Sequence, residues 1–258
     1  MELKDRVIVV TGGGSGIGRA MCQRFAKEQP KGIIVADIDP LATNQTAEEI
    51  GGIPCVCDLT LETNVKGLID LAEGELGPVD LYCANAGLTY KGGCELPDPE
   101  WQRLWQLHVM STVYAARLLV PGMLERKSGY FMLTSSAAGI LTEIGSAAYS
   151  VTKHATVALA EWLSIHYARK GIGVSCLCPA GVDTGFLDHE DPIHQFLHMS
   201  AVTPEQVADL ILNGIRDEKF LLTTHPEINE FFAFKTRDYP KYLSGFQRLV
   251  EKLTKRKK

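Results

Sequence analysis

The segment Thr11-Gly12-Gly13-Gly14-Ser15-Gly16-Ile17-Gly18 decides the fold of this chain, because it joins two different patterns of apolar residues. The run before it, Val7-Ile8-Val9-Val10, is typical of a strand buried on both faces of a parallel sheet. Residues 16–28 have helical spacing. Glycines at such a turn let backbone N–H groups approach a pyrophosphate, and the helix N-terminus adds a positive dipole. Taken alone, the turn is a weak indication, since glycine also serves plain turns.

The alternation of strand and helix continues along the chain. Strands are predicted at 6–10, 32–36, 53–57, 79–84, 129–134 and 172–178. Helices are predicted at 16–28, 41–50, 64–75, 99–125 and 148–170. Six strands with crossover helices predict an α/β fold, a doubly wound parallel sheet (Rossmann fold) with helices on both faces. Because no linker or repeat interrupts the alternation, the 258 residues are expected to form a single domain, 1–258.

Residues 5–184 are expected to form the cofactor-binding and catalytic core. The remainder, 185–258, is expected to hold a substrate loop, a last strand and a C-terminal helical segment. Thr203-Pro204-Glu205 predicts a helix start, a strand is predicted at 219–223, and helix 227–253 is broken near Pro240. No metal site is predicted in the loop, although it holds five possible ligands: His189, Glu190, Asp191, His194 and His198.

Composition argues against several classes of protein. A formal charge of −5 disfavours nucleic acid as the main partner, because phosphate binding normally needs a basic face. No apolar run approaches the roughly 18 residues of a membrane span, and the early first strand leaves no room for a signal peptide. The pairs Cys55/Cys57 and Cys176/Cys178 lie in apolar runs and are expected to be buried thiols on one strand face rather than zinc ligands. A cytoplasmic location fits these features.

Asp37 ends the second predicted strand, 19 residues after Gly18. That spacing is typical of the carboxylate that holds the adenosine ribose of a dinucleotide, although a turn or helix-capping Asp near Pro40 is an alternative. A carboxylate accepts hydrogen bonds from a 2′-hydroxyl and repels a 2′-phosphate, and the neighbours Ser15 and Ile38 offer no cation. The sequence therefore predicts NAD rather than NADP.

Tyr149 and Lys153 are four residues apart at the start of a predicted helix, so they lie on one helix face. A free Tyr titrates at about pH 10, but an adjacent ammonium favours the phenolate. Taken alone, the pair is better interpreted as an exposed helix pair. Ser136 changes that interpretation, because it follows strand 129–134 and is expected at the carboxyl edge of the sheet.

The order and spacing of these motifs resemble the short-chain dehydrogenase/reductase family over residues 5 to about 184. The matching elements are Thr11-Gly-x3-Gly-x-Gly18, Asp58-Leu59, Asn85-Ala86-Gly87, Ser136, Tyr149-x3-Lys153 and 179–184. The resemblance implies that Tyr149 is the general acid/base, that Lys153 lowers its pKa and binds the nicotinamide ribose, and that Ser136 hydrogen-bonds the substrate oxygen. It assigns the cofactor to Gly12, Gly14, Ser15, Gly16, Ile17, Gly18, Asp37, Asp58, Leu59, Asn85, Ala86, Gly87, Tyr149, Lys153, Pro179, Val182 and Thr184. Among these, Asp58 and Leu59 would flank the adenine, and Val182 and Thr184 would meet the carboxamide; Asn85 is alternatively a sheet-stabilising residue.

The chain departs from the family pattern at two places. His108 stands where the family's long helix usually carries an Asn of a proton relay, so His108 is either a catalytic relay residue with its own pH dependence or a satisfied core histidine. Pro179-Ala180-Gly181 replaces the usual Pro-Gly, which leaves the backbone near the nicotinamide less certain than the pyrophosphate end.

Aromatic residues crowd the C-terminus before a basic tail, 252–258, and favour an apolar substrate. The segment is expected to cover the substrate pocket or a neighbouring subunit, with a membrane-surface helix as the alternative. The resemblance implies a homodimer or homotetramer through helices 99–125 and 148–170, and Trp101, Trp105 and Trp162 are either interface anchors or core residues.

The leading hypothesis is an NAD(H)-dependent oxidoreductase that interconverts a secondary alcohol and a ketone. One alternative is an NADPH-dependent 3-oxoacyl reductase, which Asp37 disfavours. Another is a catalytically silent NAD(H)-binding sensor or scaffold, against which the complete set Ser136, Tyr149 and Lys153 argues. The sequence leaves open the substrate, the stereochemistry and the direction of the reaction.

Overall fold

In the computed structural model, which describes residues 1–185 and 201–255, seven strands form one parallel sheet. They are β1 (Val7–Thr11), β2 (Gly32–Asp37), β3 (Ile53–Val56), β4 (Leu81–Ala84), β5 (Gly129–Thr134), β6 (Ile172–Cys178) and β7 (Leu221–Thr223). Their order across the sheet is β3-β2-β1-β4-β5-β6-β7. The doubly wound α/β prediction is confirmed. The order reverses between β1 and β4, which is where such sheets open a crevice for a ligand.

The described residues contain nine α-helices, of which seven lie between strands and two follow β7. They are α1 (Gly16–Ala26), α2 (Pro40–Ile50), α3 (Glu62–Leu76), α4 (Asp98–Trp105), α5 (Ser111–Glu125), α6 (Ala147–Tyr167), α7 (Pro204–Arg216), α8 (Pro226–Arg237) and α9 (Tyr239–Lys255). On one face of the sheet α1 packs against α7, with Phe25 and Ile211 fully buried. On the other face α3, α5 and α6 bury Leu68, Met123 and Leu163. All five residues of β1 are buried between these layers, as the apolar run predicts.

The predicted helix 99–125 is continuous, but a π-helical turn, Gln106–Met110, separates α4 from α5. Such turns often mark functional sites, and this one contains His108. By length and composition the 28-residue helix Asp98–Glu125 could cross a membrane, yet 44% of its most apolar stretch is buried within the protein. Since the core helix of a globular protein passes the same test, the prediction of no membrane span stays a prediction.

The C-terminal elements begin where the capping residues predict. Thr203 and Gln206 form a reciprocal capping box at the start of α7. The predicted break in the last helical segment lies at Asp238, which separates α8 from α9 and accepts a hydrogen bond from the Lys241 N–H. The division into a core, 5–184, and a remainder, 185–258, stays a prediction.

The two cysteine pairs contain free thiols whose side chains hydrogen-bond within each pair. This contact agrees with the prediction that the two thiols of a pair share one face. Cys176 and Cys178 are buried in β6, as predicted. The prediction of burial is wrong for Cys55 and Cys57, which are half-buried because they lie at the end of the edge strand β3.

Candidate active site

The glycine-rich turn brings strand β1 and helix α1 into unusually close contact. Gly12 has φ +65°, a conformation that favours glycine. A Cβ atom on Gly18 would lie only 1.9 Å from the Gly12 carbonyl oxygen, so any side chain at Gly18 would displace the turn. The Gly13 N–H donates to the Ala36 carbonyl of β2 over 3.0 Å, which ties the turn to the neighbouring strand. The result is a backbone cradle at the N-terminus of α1, suited to an anion.

Asp37 lies beside this cradle at the end of β2. Its Oδ2 accepts a hydrogen bond from the Gly14 N–H at 3.0 Å, and its Oδ1 accepts from the N–H groups of Ile38 and Asp39 at 2.7 and 3.2 Å. Asp39, not Asp37, caps α2. Because a carboxylate offers roughly four acceptor positions, Asp37 retains capacity for a ribose hydroxyl.

Asp58 and Leu59 follow β3, next to Asp37 across the sheet edge. The Asp58 carboxylate accepts from the Thr60 N–H at 3.0 Å and from the Thr60 hydroxyl at 2.8 Å, which forms the turn into α3. Leu59 is buried in the core on the α3 side. These contacts account for both residues structurally, and their predicted contact with adenine stays a prediction.

Asn85 joins three strands beyond the end of β4. Its side-chain amide donates to the Thr11 carbonyl at 3.1 Å, and its Oδ1 accepts from the Thr134 hydroxyl at 3.0 Å. The Thr11 hydroxyl in turn accepts from the backbone N–H groups of Asn85 and Ala86. These contacts give Asn85 a sheet-stabilising role, which was one of the two predicted alternatives. Asn85 also lies near the crevice, and its predicted contact with the cofactor stays a prediction.

Ser136 and Tyr149 meet at the carboxyl edge of β5. The Ala138 N–H donates to Ser136 Oγ at 3.1 Å, and the Ser136 side chain is hydrogen-bonded to the Tyr149 phenol. Tyr149 is 6% exposed. Burial raises the pKa of Tyr149 above its ordinary value, and the hydrogen bond from Ser136 opposes part of that rise. The phenol is thus protonated at neutral pH and already touches the group expected to bind substrate.

Lys153 approaches Tyr149 from one helical turn further along α6. Its Nζ lies 5.5 Å from the centroid of the Tyr149 ring and donates to the Thr134 carbonyl at 2.9 Å. Burial lowers the pKa of Lys153 to about 8. The Lys153 amine is therefore largely protonated at neutral pH, and it loses its proton within the pH range in which enzyme activity is commonly measured. That Lys153 lowers the pKa of Tyr149 stays a prediction, since burial and Ser136 dominate the shift of that phenol.

His108 lies behind Tyr149, with the two rings edge to face at 5.6 Å between centroids. Its Nε2 accepts from the Leu88 N–H at 3.2 Å, and its Nδ1 lies 2.9 Å from the Thr152 hydroxyl, which itself donates to the Ala148 carbonyl at 3.0 Å. The Nδ1–H tautomer satisfies this arrangement. Burial, and then the charge of Lys153, hold the pKa of His108 well below its usual range. Both ring nitrogens have protein partners, which favours a satisfied core histidine over a relay residue.

The segment after β6 returns to the glycine-rich turn. Its Pro179 carbonyl accepts from the Ala137 N–H at 2.7 Å, which links it to the residue after Ser136. Val182 forms a parallel bridge with Val202. A Cβ atom on Gly16 would lie 3.2 Å from Thr184 Cγ2, and one on Gly87 would lie 3.5 Å from Lys153 Nζ. Predicted cofactor residues from the two halves of the chain, Gly16 with Thr184 and Gly87 with Lys153, thus lie side by side.

Sequence reasoning missed several residues that hold this site together. The Thr224 hydroxyl, at the end of β7, accepts from the Ala180 N–H at 3.1 Å and thereby fixes the segment that departs from the family pattern. Its place beyond the carboxyl end of a predicted strand was the available signal. Thr152 lies inside the Tyr149-x3-Lys153 motif but carries no chemical signature of its own.

The possible metal ligands of the substrate loop, His189 to His198, lie outside the described residues. Within the part of the chain that the structure describes, no group of three or more His, Cys, Asp or Glu side chains is placed to hold a metal ion. The prediction of no metal site in that loop stays untested.

A parallel α/β sheet with a glycine cradle, an acidic residue ending β2 and a Ser-Tyr-Lys cluster at the same edge defines a class of dinucleotide-dependent oxidoreductases. The family model described as short chain dehydrogenase matches residues 6–192. The chain therefore belongs to the short-chain dehydrogenase/reductase family.

Individual relatives agree with this assignment. The chain is 32% identical over 236 residues to 1-deoxy-11-beta-hydroxypentalenate dehydrogenase of Streptomyces exfoliatus, covering 88% of this chain and 86% of the relative. The structure of a short chain dehydrogenase/reductase from Burkholderia phymatum in complex with NAD is similar, with a TM-score of 0.85, 28% identity and coverage of 93% and 95%. L-sorbose reductase of Gluconobacter frateurii, solved with NADPH and L-sorbose, has the same fold, with a TM-score of 0.75, 24% identity and coverage of 86% and 95%.

Proposed function

We propose that this protein is an NAD(H)-dependent oxidoreductase that interconverts a secondary alcohol and a ketone on a fairly apolar small molecule. The observation that carries the proposal is the contact of Ser136 with Tyr149, beside Lys153, at the edge of the sheet that holds the glycine cradle. A relative named for a hydroxypentalenate supports a hydroxyl group as the site of oxidation.

The choice of cofactor is argued from the shape and the charge of the glycine cradle. The cradle leaves no room for a side chain at Gly18, and the Asp37 carboxylate lies next to it with acceptor capacity for ribose hydroxyls. A 2′-phosphate would face that carboxylate, so we propose NAD(H) over NADP(H), although similar folds hold either nucleotide. Fluorescence titration with NADH and NADPH tests this choice. Tighter binding of NADPH would instead favour the 3-oxoacyl reductase alternative.

In this proposal, side chains of the protein transfer the proton and stabilise the charge on the substrate oxygen. When bound, NAD(H) would supply the hydride chemistry of the reaction. For oxidation, the Tyr149 phenolate takes the proton of the alcohol, while the Ser136 hydroxyl donates to the substrate oxygen and stabilises its developing charge. The Lys153 ammonium would favour the phenolate and would hold the nicotinamide ribose. Because Tyr149 and Lys153 are almost wholly buried, water competes little for these hydrogen bonds.

The decisive experiment is Tyr149→Phe, assayed with NAD and a panel of secondary alcohols. Loss of the phenol should lower kcat/KM about 10²- to 10⁴-fold, because general acid/base catalysis has that worth. The dissociation constant of NADH should change little. Tyr167→Phe, on the same helix and away from the site, is the matched control and should retain full activity.

Retained activity in Tyr149→Phe contradicts the assigned mechanism. Tight NADH binding by the wild-type protein without turnover of any alcohol or ketone would favour the silent sensor or scaffold instead.

We also propose a cytoplasmic homodimer or homotetramer. Trp105 on α4 and Trp162 on α6 are 42% and 48% exposed, which supports their role as interface anchors. Light scattering coupled to gel filtration measures the assembly, and a monomeric mass contradicts it.

A further inference from the structure

Lys235 is a buried lysine that the proposed chemistry does not use. It belongs to the last turn of α8 and is only 8% exposed. Its Nζ donates to the carbonyl groups of Ile140 and Leu141 at 2.8 and 3.2 Å, and lies 3.4 Å from His154 Nε2. An ammonium buried in this way is costly unless its hydrogen bonds are satisfied, and these three partners supply them.

Two aromatic rings complete the environment of the Lys235 ammonium. The ring centroids of Tyr239 and Tyr242, both on α9, lie 5.9 and 5.8 Å from Nζ. Cations are attracted to aromatic faces at such distances. Burial lowers the pKa of Lys235 from its ordinary value. The lysine therefore joins both C-terminal helices to residues almost a hundred positions earlier in the chain.

The residues that Lys235 holds connect the two central groups of the active site. Ile140 and Leu141 follow the short helix Ala137–Gly139, which Ser136 caps, and the Leu141 N–H donates to the Ala137 carbonyl at 2.8 Å. At the other end of the connection, the Glu143 N–H donates to the Ser150 hydroxyl at 3.0 Å, next to Tyr149 on α6. Lys235 thus holds the middle of a segment whose ends carry Ser136 and Tyr149.

His154, the third partner of Lys235, ties the same contact to the catalytic helix. It follows Lys153 directly on α6, and its Nδ1 lies 2.9 Å from the Ser150 carbonyl. One lysine therefore touches both the segment after Ser136 and the helix that carries Tyr149 and Lys153.

We propose that Lys235 is a positioning residue of the active site, which fixes the 140–143 segment against α6 and so sets the placement of Ser136 relative to Tyr149. The C-terminal helices α8 and α9 then act on the reaction through this lysine. The inference about turnover rests on the proposed alcohol–ketone function, whereas the inference about the order of the segment does not.

The test compares Lys235→Met, which keeps the aliphatic length but removes the donors, with Lys235→Arg, which keeps charge and donors. Lys241→Met on α9 is the matched control, because Lys241 is exposed. Two readouts are measured for each: kinetics with NAD and an alcohol, and hydrogen–deuterium exchange of the amides of Gly139, Ile140, Leu141 and Glu143.

Lys235→Met should lower kcat/KM for the alcohol about 10- to 100-fold, because small displacements of reacting groups cost that much. The dissociation constant of NADH should stay unchanged, since the nucleotide cradle lies elsewhere. Exchange in the segment should become about ten-fold faster as its local stability falls. Lys235→Arg should recover most of the activity, and Lys241→Met should match the wild type in both readouts.

Wild-type kcat/KM together with wild-type exchange in Lys235→Met overturns the proposal, as does faster exchange spread evenly over the whole sheet. If Lys235→Met does not fold, Lys235→Gln, which is shorter and uncharged but keeps donors, takes its place with the same expected direction. If the wild-type protein oxidises no alcohol, the proposed function fails. The exchange measurement then still decides the positioning role by itself.

Discussion

The proposed nucleotide-binding end and the proposed catalytic end of the crevice, called below the nucleotide end and the catalytic end, are built in different ways. At the nucleotide end, backbone N–H groups of the glycine-rich turn donate to the end of the neighbouring strand: the Gly14 N–H donates to the Asp37 carboxylate, and the Gly13 N–H donates to the Ala36 carbonyl of β2. At the catalytic end, the contacts around Ser136 and Tyr149 come from side chains of several elements: His108 accepts from the Leu88 N–H, Thr224 accepts from the Ala180 N–H, and Lys235 donates to the Ile140 carbonyl.

This difference has a physical origin. Binding a pyrophosphate needs backbone N–H groups, and one strand–turn–helix unit supplies them. Holding a hydroxyl, a phenol and an ammonium in one geometry needs side chains from several elements, each fixed by packing and hydrogen bonds. We therefore expect single changes at the nucleotide end to act strongly through sterics, and changes at the catalytic end to act in smaller steps.

Gly18→Ala is the strongest way to test the nucleotide end. The added Cβ would lie 1.9 Å from the Gly12 carbonyl oxygen, so the turn must move. We expect a loss of about 1–3 kcal/mol in the free energy of unfolding from overpacking. The displaced cradle should weaken NADH binding about 100-fold. Fluorescence titration and urea denaturation measure the two effects.

Gly74→Ala is the control, because a Cβ on Gly74 in α3 meets no atom within 4 Å. It should leave NADH binding unchanged and stabilise the fold by about 0.4–1 kcal/mol through the unfolded state. Equal NADH affinity in Gly18→Ala and the wild type would show that the cradle is not the nucleotide site.

The catalytic end should respond to pH. Since the pKa of Tyr149 is raised, the phenolate that oxidation needs becomes more abundant as pH rises, and kcat/KM for alcohol oxidation should climb about ten-fold per pH unit. Above about pH 8 the climb should flatten, because Lys153 loses its proton there. Ketone reduction, which needs the protonated phenol, should show no such rise. Initial rates in both directions between about pH 6 and pH 10, on either side of the pKa of Lys153, provide the measurement.

His108→Asn separates the two interpretations of that residue. With its pKa held well below the usual range, His108 stays neutral in this pH range and should not contribute to the profile. The variant should therefore keep the wild-type shape of the curve. A displaced curve would restore the relay role.

Thr224→Val should give the smallest effect. It removes the acceptor of the Ala180 N–H and loosens the segment after β6, so KM for NAD should rise about 2- to 5-fold, the worth of one hydrogen bond. Thr224→Ser should restore the wild-type value. Thr236→Val on α8, whose hydroxyl donates to the Phe232 and Ala233 carbonyls of its own helix, serves as the control. An unchanged KM in Thr224→Val would remove Thr224 from the site.

Much of the fold could be predicted, because its signals are local. Unbroken apolar strands such as Val7–Thr11 and capping residues such as Thr203 identified elements to within about two residues, close to the uncertainty of any boundary assignment. The π-helical turn Gln106–Met110 was missed, since its residues fit an ordinary helical pattern. At the candidate site, Ser136, Tyr149 and Lys153 were predicted from their places after a strand and on one helix face together with the family resemblance, whereas Thr224 and Lys235 carry no motif.

The sequence by itself determined the parallel sheet, the cradle after β1 and the residues at its edge, because periodicity and glycine placement act over short stretches of chain. The tertiary structure decided how those residues are held: that both nitrogens of His108 have protein partners, that burial raises the pKa of Tyr149, and that Lys235 binds the 140–143 segment. Burial and long-range hydrogen bonds depend on which elements pack together, and a linear pattern does not contain that information.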